Sequence, residues 1–282
     1  MREYVFQTGR GGAARLDIVE SMFGEASRQF LAEVGLRDGL RVLDVGCGTG
    51  ALTCWIAQVV GNRGRVTAVD ADSKQLAVAR KDAEQAGLTN TDFVQGRLGS
   101  EDLALGGFHL VHCRLVLMHV SDADLALGLM ARAARPGGIL ACEETVASSA
   151  FAHPRNEVIF RMSRLFCELG KQRALDFDVG DDLFTLMSRH TSRVVAARFV
   201  QPMVPLPMAR RFLTLGAVEL KAVLLAAGLV TEKEAEEFLR GIQTMSDDPT
   251  AYYAPGRMAQ VAGMVGGDKA TGRLRRRRSM RG

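Results

Sequence analysis

Short apolar runs alternate with helix-period segments between residues 40 and 145, and this alternation constrains the fold of the chain more than any other feature. The apolar runs predict strands, and the segments between them have the spacing of amphipathic helices. Such repetition is typical of βαβ units, in which helices cover both faces of a parallel sheet. The predicted strands lie near 41–45, 65–69, 92–95, 108–113 and 138–143, and the predicted helices near 50–60, 73–86 and 122–134.

The third predicted helix has marked boundaries. Ser121, followed three residues later by Asp124, predicts a capping box at its start, and the turn Arg135-Pro136-Gly137-Gly138 predicts its end. Outside the alternating region, further elements are predicted: a helix at 17–34, two helices within 150–192, a strand at 193–201, helices near 208–227 and 231–246, and a last strand within 251–264.

Composition excludes several classes of protein. No apolar stretch reaches the length of about 18 residues that a membrane span requires. The N-terminal residues lack the apolar core of a signal peptide, so we expect a cytoplasmic protein without a membrane partner. The five cysteines form an odd set without a CxxC pair, which argues against a disulfide framework or a zinc knuckle.

The net charge of +4 is concentrated at the C-terminus. Residues 268–282 hold seven Lys or Arg and one Asp, so the rest of the chain carries about −2. A short basic segment without an apolar pattern is typical of a disordered tail. No other basic stripe could follow a phosphate backbone, and the chain has no Pro-Pro pair of the kind that nucleobase-methylating enzymes use. We therefore expect no nucleic-acid partner.

The segment RVLDVGCGTGALTCW places three glycines in five positions between the first strand and the first helix. Ligands of open α/β sheets bind at this end of the strands, and glycines let the backbone approach them closely. Gly46, Gly48 and Ala51 satisfy the dinucleotide pattern G-x-G-x-x-G/A, with Asp70 near the position of its ribose-binding acid. Asp44 argues against that ligand, because a carboxylate there would repel pyrophosphate. It favours S-adenosyl-L-methionine (SAM), which carries a sulfonium and an ammonium group.

Four motifs, in this order, resemble those of the class I SAM-dependent methyltransferases. VLDVGCGTG resembles their first motif and VTAVDADSKQLAVARK their second, whereas FHLVHCRLVLMHV and ARPGGILACEE resemble their fourth strand and the RPGG turn. The resemblance covers residues 35–145, and the flanking segments are similar, more loosely, to small-molecule and secondary-metabolite methyltransferases. It implies a Rossmann-like, doubly wound α/β fold with a mostly parallel seven-stranded sheet and an inserted helical lid.

On this basis the chain divides into five segments. We expect an N-terminal arm and helix at 1–35, a SAM-binding core at 36–147 and a helical lid that binds substrate at 148–192. Strands and helices at 193–267 are expected to complete the sheet, and the basic tail follows at 268–282. The N-terminal arm could be exchanged between subunits, so a homo-oligomer is possible.

The resemblance also implies a binding site for SAM. Gly46, Gly48 and Gly50 would approach its methionine part, Asp44 would hold the ammonium group, and Asp70 would accept both ribose hydroxyls. The family often has an acid after the third strand, where this chain has Gly96-Arg97, so adenine recognition is expected from the backbone near Arg97 and Leu98, or from Glu101 or Asp102. The remaining expected contacts are Tyr4 as a cap on the sulfonium, Cys47, Ala71 against the adenine, Cys113, and Arg114, which would hold either the cofactor carboxylate or an anionic substrate.

Methyl transfer depends mainly on positioning the acceptor and removing its proton, so an obvious catalytic pair is not required. The candidate general bases are His119, Glu144 at the end of the fifth strand, and His153 at the start of the lid. His109 and His112 lie three residues apart on a strand and therefore face opposite ways, so we expect no metal site.

Apolar side chains recur at helical spacing in the lid, either as core or as a pocket for the acceptor. Together with further apolar residues after it, this stripe hints at an apolar or aromatic small-molecule acceptor; the residues are Phe160, Met162, Leu165, Phe166, Leu169, Phe177, Phe184 and Met187. The alternatives are a methyltransferase fold that binds SAM without methylating, and an NAD-dependent oxidoreductase.

Overall fold

The computed structural model describes residues 10–97, 106–245, 247–248 and 250–266. The helices are α1 (Arg10–Glu33), α2 (Ala51–Val60), α3 (Ser73–Gln85), α4 (Ala123–Ala133), α5 (Glu157–Gln172), α6 (Leu183–His190), α7 (Leu206–Ala226) and α8 (Glu232–Gln243). The strands are β1 (Arg41–Val45), β2 (Arg65–Asp70), β3 (Thr91–Gln95), β4 (Phe108–Arg114), β5 (Ala134–Val146), β6 (Phe151–His153), β7 (Arg193–Val200), β8 (Val204–Pro205), β9 (Tyr252–Ala254) and β10 (Arg257–Met264). Within these ranges, no helix is both long enough and apolar enough to cross a membrane.

Seven of the strands form one sheet in the order β3-β2-β1-β4-β5-β10-β7. Strand β1 pairs in parallel with both β2 and β4, whereas β10 runs antiparallel to β5 and β7. This is the predicted mostly parallel, seven-stranded, doubly wound sheet. Strands β2 and β4 flank β1 on opposite sides, so the order of the strands reverses at β1. A crevice opens at this point, at the carboxyl ends of β1 and β4, where such folds bind ligands.

The core lies on both faces of the sheet, which explains why its central strands are continuous apolar runs. Val42 of β1 packs with Phe30 and Ile56 on one face, and Leu43, the next residue, packs with Leu127 and the α4 side of the molecule on the other. Both β1 residues are fully buried. Adjacent residues on opposite faces fix the register of the strand and therefore the direction of Asp44.

The start of α4 differs from the prediction by one residue. The N-cap is Asp122, whose carboxylate accepts a 2.8 Å hydrogen bond from the backbone N–H of Leu125, so Ser121 is not the cap. Asp124 cannot complete a capping box, because its carboxylate is paired with His190 and Arg189. These pairs link α4 to the end of α6.

The two helices of the predicted lid segment, α5 and α6, lie in different parts of the molecule. Helix α5 packs against α7 and α8, above the carboxyl ends of the strands, whereas α6 packs against α4 beside the sheet. Helix α7 was expected to complete the sheet but belongs to the covering layer.

The last predicted strand, 251–264, is in fact two strands. β10 enters the large sheet, and β9 joins β6 and β8 in a small antiparallel sheet that the sequence did not predict.

Candidate active site

A cavity of about 1270 Å³ lies at the carboxyl ends of β1, β2 and β4, beneath α1, α5 and α7. Its two halves differ in chemistry. The glycine loop and the ends of β1 and β2 provide carboxylates and backbone amides, whereas the helices above provide apolar side chains, among them Val19, Phe23, Ile159, Met162, Phe166, Phe212, Leu213 and Leu220.

The glycine loop that follows β1 is shaped by contacts to β2. The N–H groups of Gly46 and Cys47 both donate to the carbonyl of Val69, and the N–H of Gly48 donates to Oδ2 of Asp70 at 2.9 Å. Gly46 has φ +68, and a Cβ atom there would lie 2.3 Å from Val116. The backbone at this position therefore requires glycine.

Gly48 and Gly50 have different surroundings. A Cβ atom at Gly48 would meet nothing closer than Leu16 of α1 at 3.7 Å, so this part of the loop is open to the cavity. Gly50 does not line the cavity, and a Cβ atom there would lie 2.7 Å from the Cβ of Ala79 on α3. The expectation that Gly50 approaches the cofactor is therefore replaced by a packing role: it allows α2 and α3 to come together.

Asp44 lies at the floor of the cavity and is almost fully buried. Its Oδ2 accepts a 2.6 Å hydrogen bond from the hydroxyl of Thr53, and its Oδ1 lies 3.0 Å from Nδ1 of His112. Neither Thr53 nor His112 was predicted from the sequence as a site residue. The feature that could have identified His112 as a site residue is its position on the neighbouring strand, because it lies directly opposite Asp44 in the register of β1 and β4.

Asp70 is half-buried at the end of β2, with Ala71 and Arg97 beside it on the cavity wall. Its second oxygen accepts a hydrogen bond from the N–H of Asp72 at 2.9 Å. Burial raises the pKa of Asp70, and the two backbone donors oppose this effect. Tyr4 and Leu98, like Glu101 and Asp102, lie outside the described residues.

β4 sends alternate side chains to opposite sides, and this separates two predicted contacts. Arg114 lines the cavity, where it donates to Glu20 of α1 at 2.6 Å and to the hydroxyl of Ser27 at 3.1 Å. Cys113 is fully buried in the core on the other face and does not line the cavity. The expectation that Cys113 contacts the cofactor fails because of this alternation.

Neither Glu143 nor Glu144 lines the cavity, so Glu144, which was predicted as a candidate general base, does not face the ligand. Both are fully buried. Glu144 instead accepts hydrogen bonds from the backbone N–H groups of Val116, Leu117 and Met118. Its geometry is that of an anchor for the loop after β4 rather than of a general base.

The two candidate histidines lie in different places. His119 lines the cavity and packs edge-on against Phe177, with the ring centroids 5.8 Å apart. Burial, aided by the charge of Arg15, lowers the pKa of His119 to about 3, so the imidazole is neutral at physiological pH. His153 is exposed on β6 and stacks on Tyr252, so the structure does not bring it to the cavity.

The apolar stripe of the lid is divided between cavity and core. Met162 and Phe166 line the cavity, and Phe166 stacks on the buried ring of Phe177 at 4.0 Å. Leu169 and Met187 belong to the core, and Phe184 is exposed.

A family model described as a methyltransferase domain matches residues 36–174. The fold and the site together define a Rossmann-like domain that presents a glycine loop and two carboxylates to its ligand. Residues 36–174, just under half of the chain, thus form a domain of the SAM-dependent methyltransferase type, and the cofactor of such domains is SAM.

The chain is also similar to individual methyltransferases and to solved structures with the same fold. The chain is 35% identical over 153 residues to the ubiquinone/menaquinone biosynthesis C-methyltransferase UbiE of Pseudoalteromonas translucida, an alignment that covers 52% of this chain and 59% of that protein. The chain thus spans about three fifths of the length of this curated relative. Two solved structures share the fold: the BH2331 protein of Bacillus halodurans C-125 (TM-score 0.59, 17% identity, 85% of this chain and 98% of that one) and the cyclase SpnF (TM-score 0.55, 20% identity, 86% and 82%).

The residues of the cavity fit SAM. The loop leaves open space above Gly48, and buried Asp44 offers negative charge where a dinucleotide would place phosphate. Asp70 and Ala71 stand side by side at the end of β2, on the cavity wall.

Proposed function

We propose that this protein is a SAM-dependent methyltransferase that acts on a small, apolar or aromatic organic acceptor. The observation that carries the proposal is that one cavity joins the glycine loop and its carboxylates to an apolar surface from α1, α5 and α7. The first half suits a cationic cofactor without phosphate. The second half suits an acceptor that is desolvated when it binds.

The cofactor would be held by residues of the core. Asp44 would hold the ammonium group, Gly46 and Gly48 would approach the methionine part, and Asp70 and Ala71 would contact the ribose and the adenine. When bound, SAM supplies a methyl group that its sulfonium has already activated for transfer. The remaining task of the protein is to position the acceptor.

His119 is the residue that we assign to the acceptor. It lies on the cavity wall at the loop after β4, and its neutral imidazole can accept a hydrogen bond from a hydroxyl of the acceptor. Phe166 and Phe212 provide flat apolar surfaces in the same cavity. The curated relative is named as a C-methyltransferase of quinone biosynthesis, and an aromatic carbon acceptor is compatible with this arrangement.

The test is the formation of S-adenosylhomocysteine from SAM in the presence of a panel of phenols, quinols and other hydroxylated aromatics, followed by mass spectrometry. We expect S-adenosylhomocysteine and a product heavier by one methyl group with at least one acceptor. The proposal would be wrong if the protein binds SAM but forms no S-adenosylhomocysteine with any acceptor.

A second candidate is a SAM-binding protein with a non-methylating activity. It is motivated by the similarity of fold to SpnF, which is described as a cyclase. The same assay separates the two, because this candidate consumes an acceptor without producing S-adenosylhomocysteine. The cytoplasmic location, the homo-oligomer and the absence of nucleic-acid and membrane partners stay predictions from the sequence.

A further inference from the structure

Three ionisable side chains form a continuous buried row across the centre of the sheet. His112 of β4 stands between Asp44 of β1 and Glu143 of β5, with its Nδ1 3.0 Å from Oδ1 of Asp44 and its Nε2 3.1 Å from Oε1 of Glu143. Their exposed fractions are 1%, 3% and 0%. The row begins at the cavity floor, since Asp44 and His112 both contribute to the cavity wall.

The hydrogen bonds of this row determine the charge of the imidazole. An ionised carboxylate can only accept, whereas a neutral imidazole has one N–H donor. A neutral His112 would therefore turn a nitrogen lone pair toward one of the two carboxylates. Both contacts are favourable when His112 carries two protons. Burial opposes this charge, but the hydrogen bonds to Asp44 and Glu143 outweigh it and raise the pKa of His112 to about 9.

The outer oxygens of both carboxylates are bound to neutral donors. Asp44 Oδ2 accepts from Thr53, and Glu143 Oε2 accepts from the hydroxyl of Ser27 at 2.8 Å and from the amide of Gln260 at 2.7 Å. His112 is thus the cationic member of this hydrogen-bonded row.

We propose that His112 is a positioning residue that, as an imidazolium, keeps Asp44 ionised and oriented for the ammonium group of the cofactor. The inference rests on the proposed binding of SAM. Without a cation beside it, a carboxylate buried next to a second one binds a proton more readily. A protonated Asp44 would lose its charge attraction for the ammonium group.

Other ionisable groups face this row from the surrounding elements. They are Cys47 of the glycine loop, Cys54 of α2, Asp70 of β2, Cys113 and Arg114 of β4, Glu144 of β5, Glu20 of α1, which pairs with Arg114, and Arg198 of β7, which donates to Gln260. All of them are retained when His112 alone is replaced, so the comparison of the two proteins isolates the change that the loss of His112 causes.

The binding test compares His112→Gln with the unchanged protein. The dissociation constant for SAM is measured by calorimetry at several pH values between 5.5 and 7.5, and the ratio of the variant value to the wild-type value cancels the titration of SAM itself. We expect a ratio of about ten at pH 7.5, as for the loss of one charged hydrogen bond, and a larger ratio at pH 5.5, because a carboxylate that has lost its neighbouring cation binds a proton more readily.

His109→Gln is the matched control, because His109 lies on the same strand and faces away, accepting a hydrogen bond from the N–H of Arg41. Its ratio should stay near one at every pH. A purely structural role of His112 would lower affinity by the same factor at every pH. That result, or an unchanged affinity, would overturn the proposal.

A second measurement does not depend on SAM. The chain contains five histidines, and nitrogen-15 NMR of the ligand-free protein can resolve their ring protonation. We expect both ring nitrogens of His112 to carry protons at pH 7, and a singly protonated ring would overturn the proposal. If the wild-type protein does not bind SAM, the proposed function fails while this readout still tests the charge of His112.

If His112→Gln does not fold, Glu143→Gln provides the second variant. It removes one carboxylate but keeps His112 beside Asp44. The pKa of His112 measured by NMR should fall relative to the wild-type protein, and an unchanged value would contradict the role assigned to the row.

Discussion

The backbone N–H of Leu117 donates a 2.7 Å hydrogen bond to Oε1 of Glu144, a carboxylate that is fully buried beneath the cavity. The same oxygen accepts from Val116 at 2.8 Å, and the N–H of Met118 lies 3.3 Å from the other oxygen. One side chain thus satisfies three consecutive backbone donors in the loop that carries His119. Glu144 therefore determines where His119 stands in the cavity.

Replacing Glu144 should impair the fold more than the chemistry. Glu144→Ala leaves buried N–H groups without an acceptor, and we expect the free energy of unfolding to fall by about 3 kcal/mol in urea denaturation. Glu144→Gln, which keeps one acceptor, should lose less. Glu25→Ala, at an exposed position of α1, serves as the control. If Glu144→Gln loses activity without losing stability, Glu144 acts as a base after all.

Gly39 and Gly50 have the same φ but different surroundings, so substitutions at the two positions distinguish backbone strain from side-chain packing. Gly39 and Gly50 both have φ +82, but a Cβ atom at Gly39 would meet nothing within 4 Å, whereas one at Gly50 would lie 2.7 Å from Ala79. Gly39→Ala should cost about 1 kcal/mol from the left-handed conformation alone. Gly50→Ala should cost clearly more in the same denaturation experiment, and equal losses would contradict the packing role of Gly50.

His119→Asn should lower kcat/KM by about tenfold, because the acceptor loses the hydrogen bond that positions it, worth about 1 kcal/mol, and the affinity for SAM should stay unchanged. Because the pKa of His119 is lowered to about 3, its titration should not contribute an acid limb to the profile of kcat/KM above about pH 4. His153→Asn is the control and should retain full activity. Equal activity of the two variants would remove His119 from the mechanism.

The stability of the protein should fall as pH rises from about 7 to 9. The pKa of His112 is raised in the folded state to about 9 from an ordinary value of 6.5, so its contribution is complete below pH 6.5 and lost as pH approaches 9. The full effect is about 3 kcal/mol. Burial also raises the pKa of Glu144, to about 7, which acts in the same direction at lower pH.

Urea denaturation at pH 7, 8 and 9 measures this loss. The slope should become much smaller in His112→Gln, where the raised pKa values of Cys47, Cys54, Cys113 and Cys167 still lower stability near pH 9, and it should be unchanged in His109→Gln. Stability that stays constant or rises over this range in the wild-type protein would show that His112 is not charged in the folded state.

Strands β1 to β4 could be predicted to within one residue at each end, because strands buried on both faces are continuous apolar runs between turn residues. The predicted 41–45, for example, is the observed β1. The first motif likewise placed Asp44 and Gly48 at the ligand cavity. These inferences depend on the local sequence and on the rule that relates strand ends to ligand sites. Strand β5 was predicted at 138–143 but spans Ala134–Val146, so it includes the residues predicted as a turn.

What could not be predicted depends on partners distant in the sequence. The role of Gly50 depends on Ala79 of α3, and that of Glu144 on donors of the loop after β4. The charge of His112 depends on carboxylates 68 and 31 residues away. Cys113 was misplaced for a simpler reason: the alternation along β4 puts it on the face opposite to Arg114.

The central claim, a SAM site built around Asp44, is tested most directly by thermal unfolding with SAM, S-adenosylhomocysteine or NAD in large excess. At about 100 times its dissociation constant, a true ligand adds about 2.7 kcal/mol, which raises the midpoint by several degrees in a protein of this size. We predict that SAM and S-adenosylhomocysteine raise the midpoint and NAD does not. The shift by SAM should be reduced in Asp44→Asn and unchanged in Asp92→Asn, a carboxylate outside the cavity that pairs with Arg65. A shift with NAD and none with SAM would contradict the account.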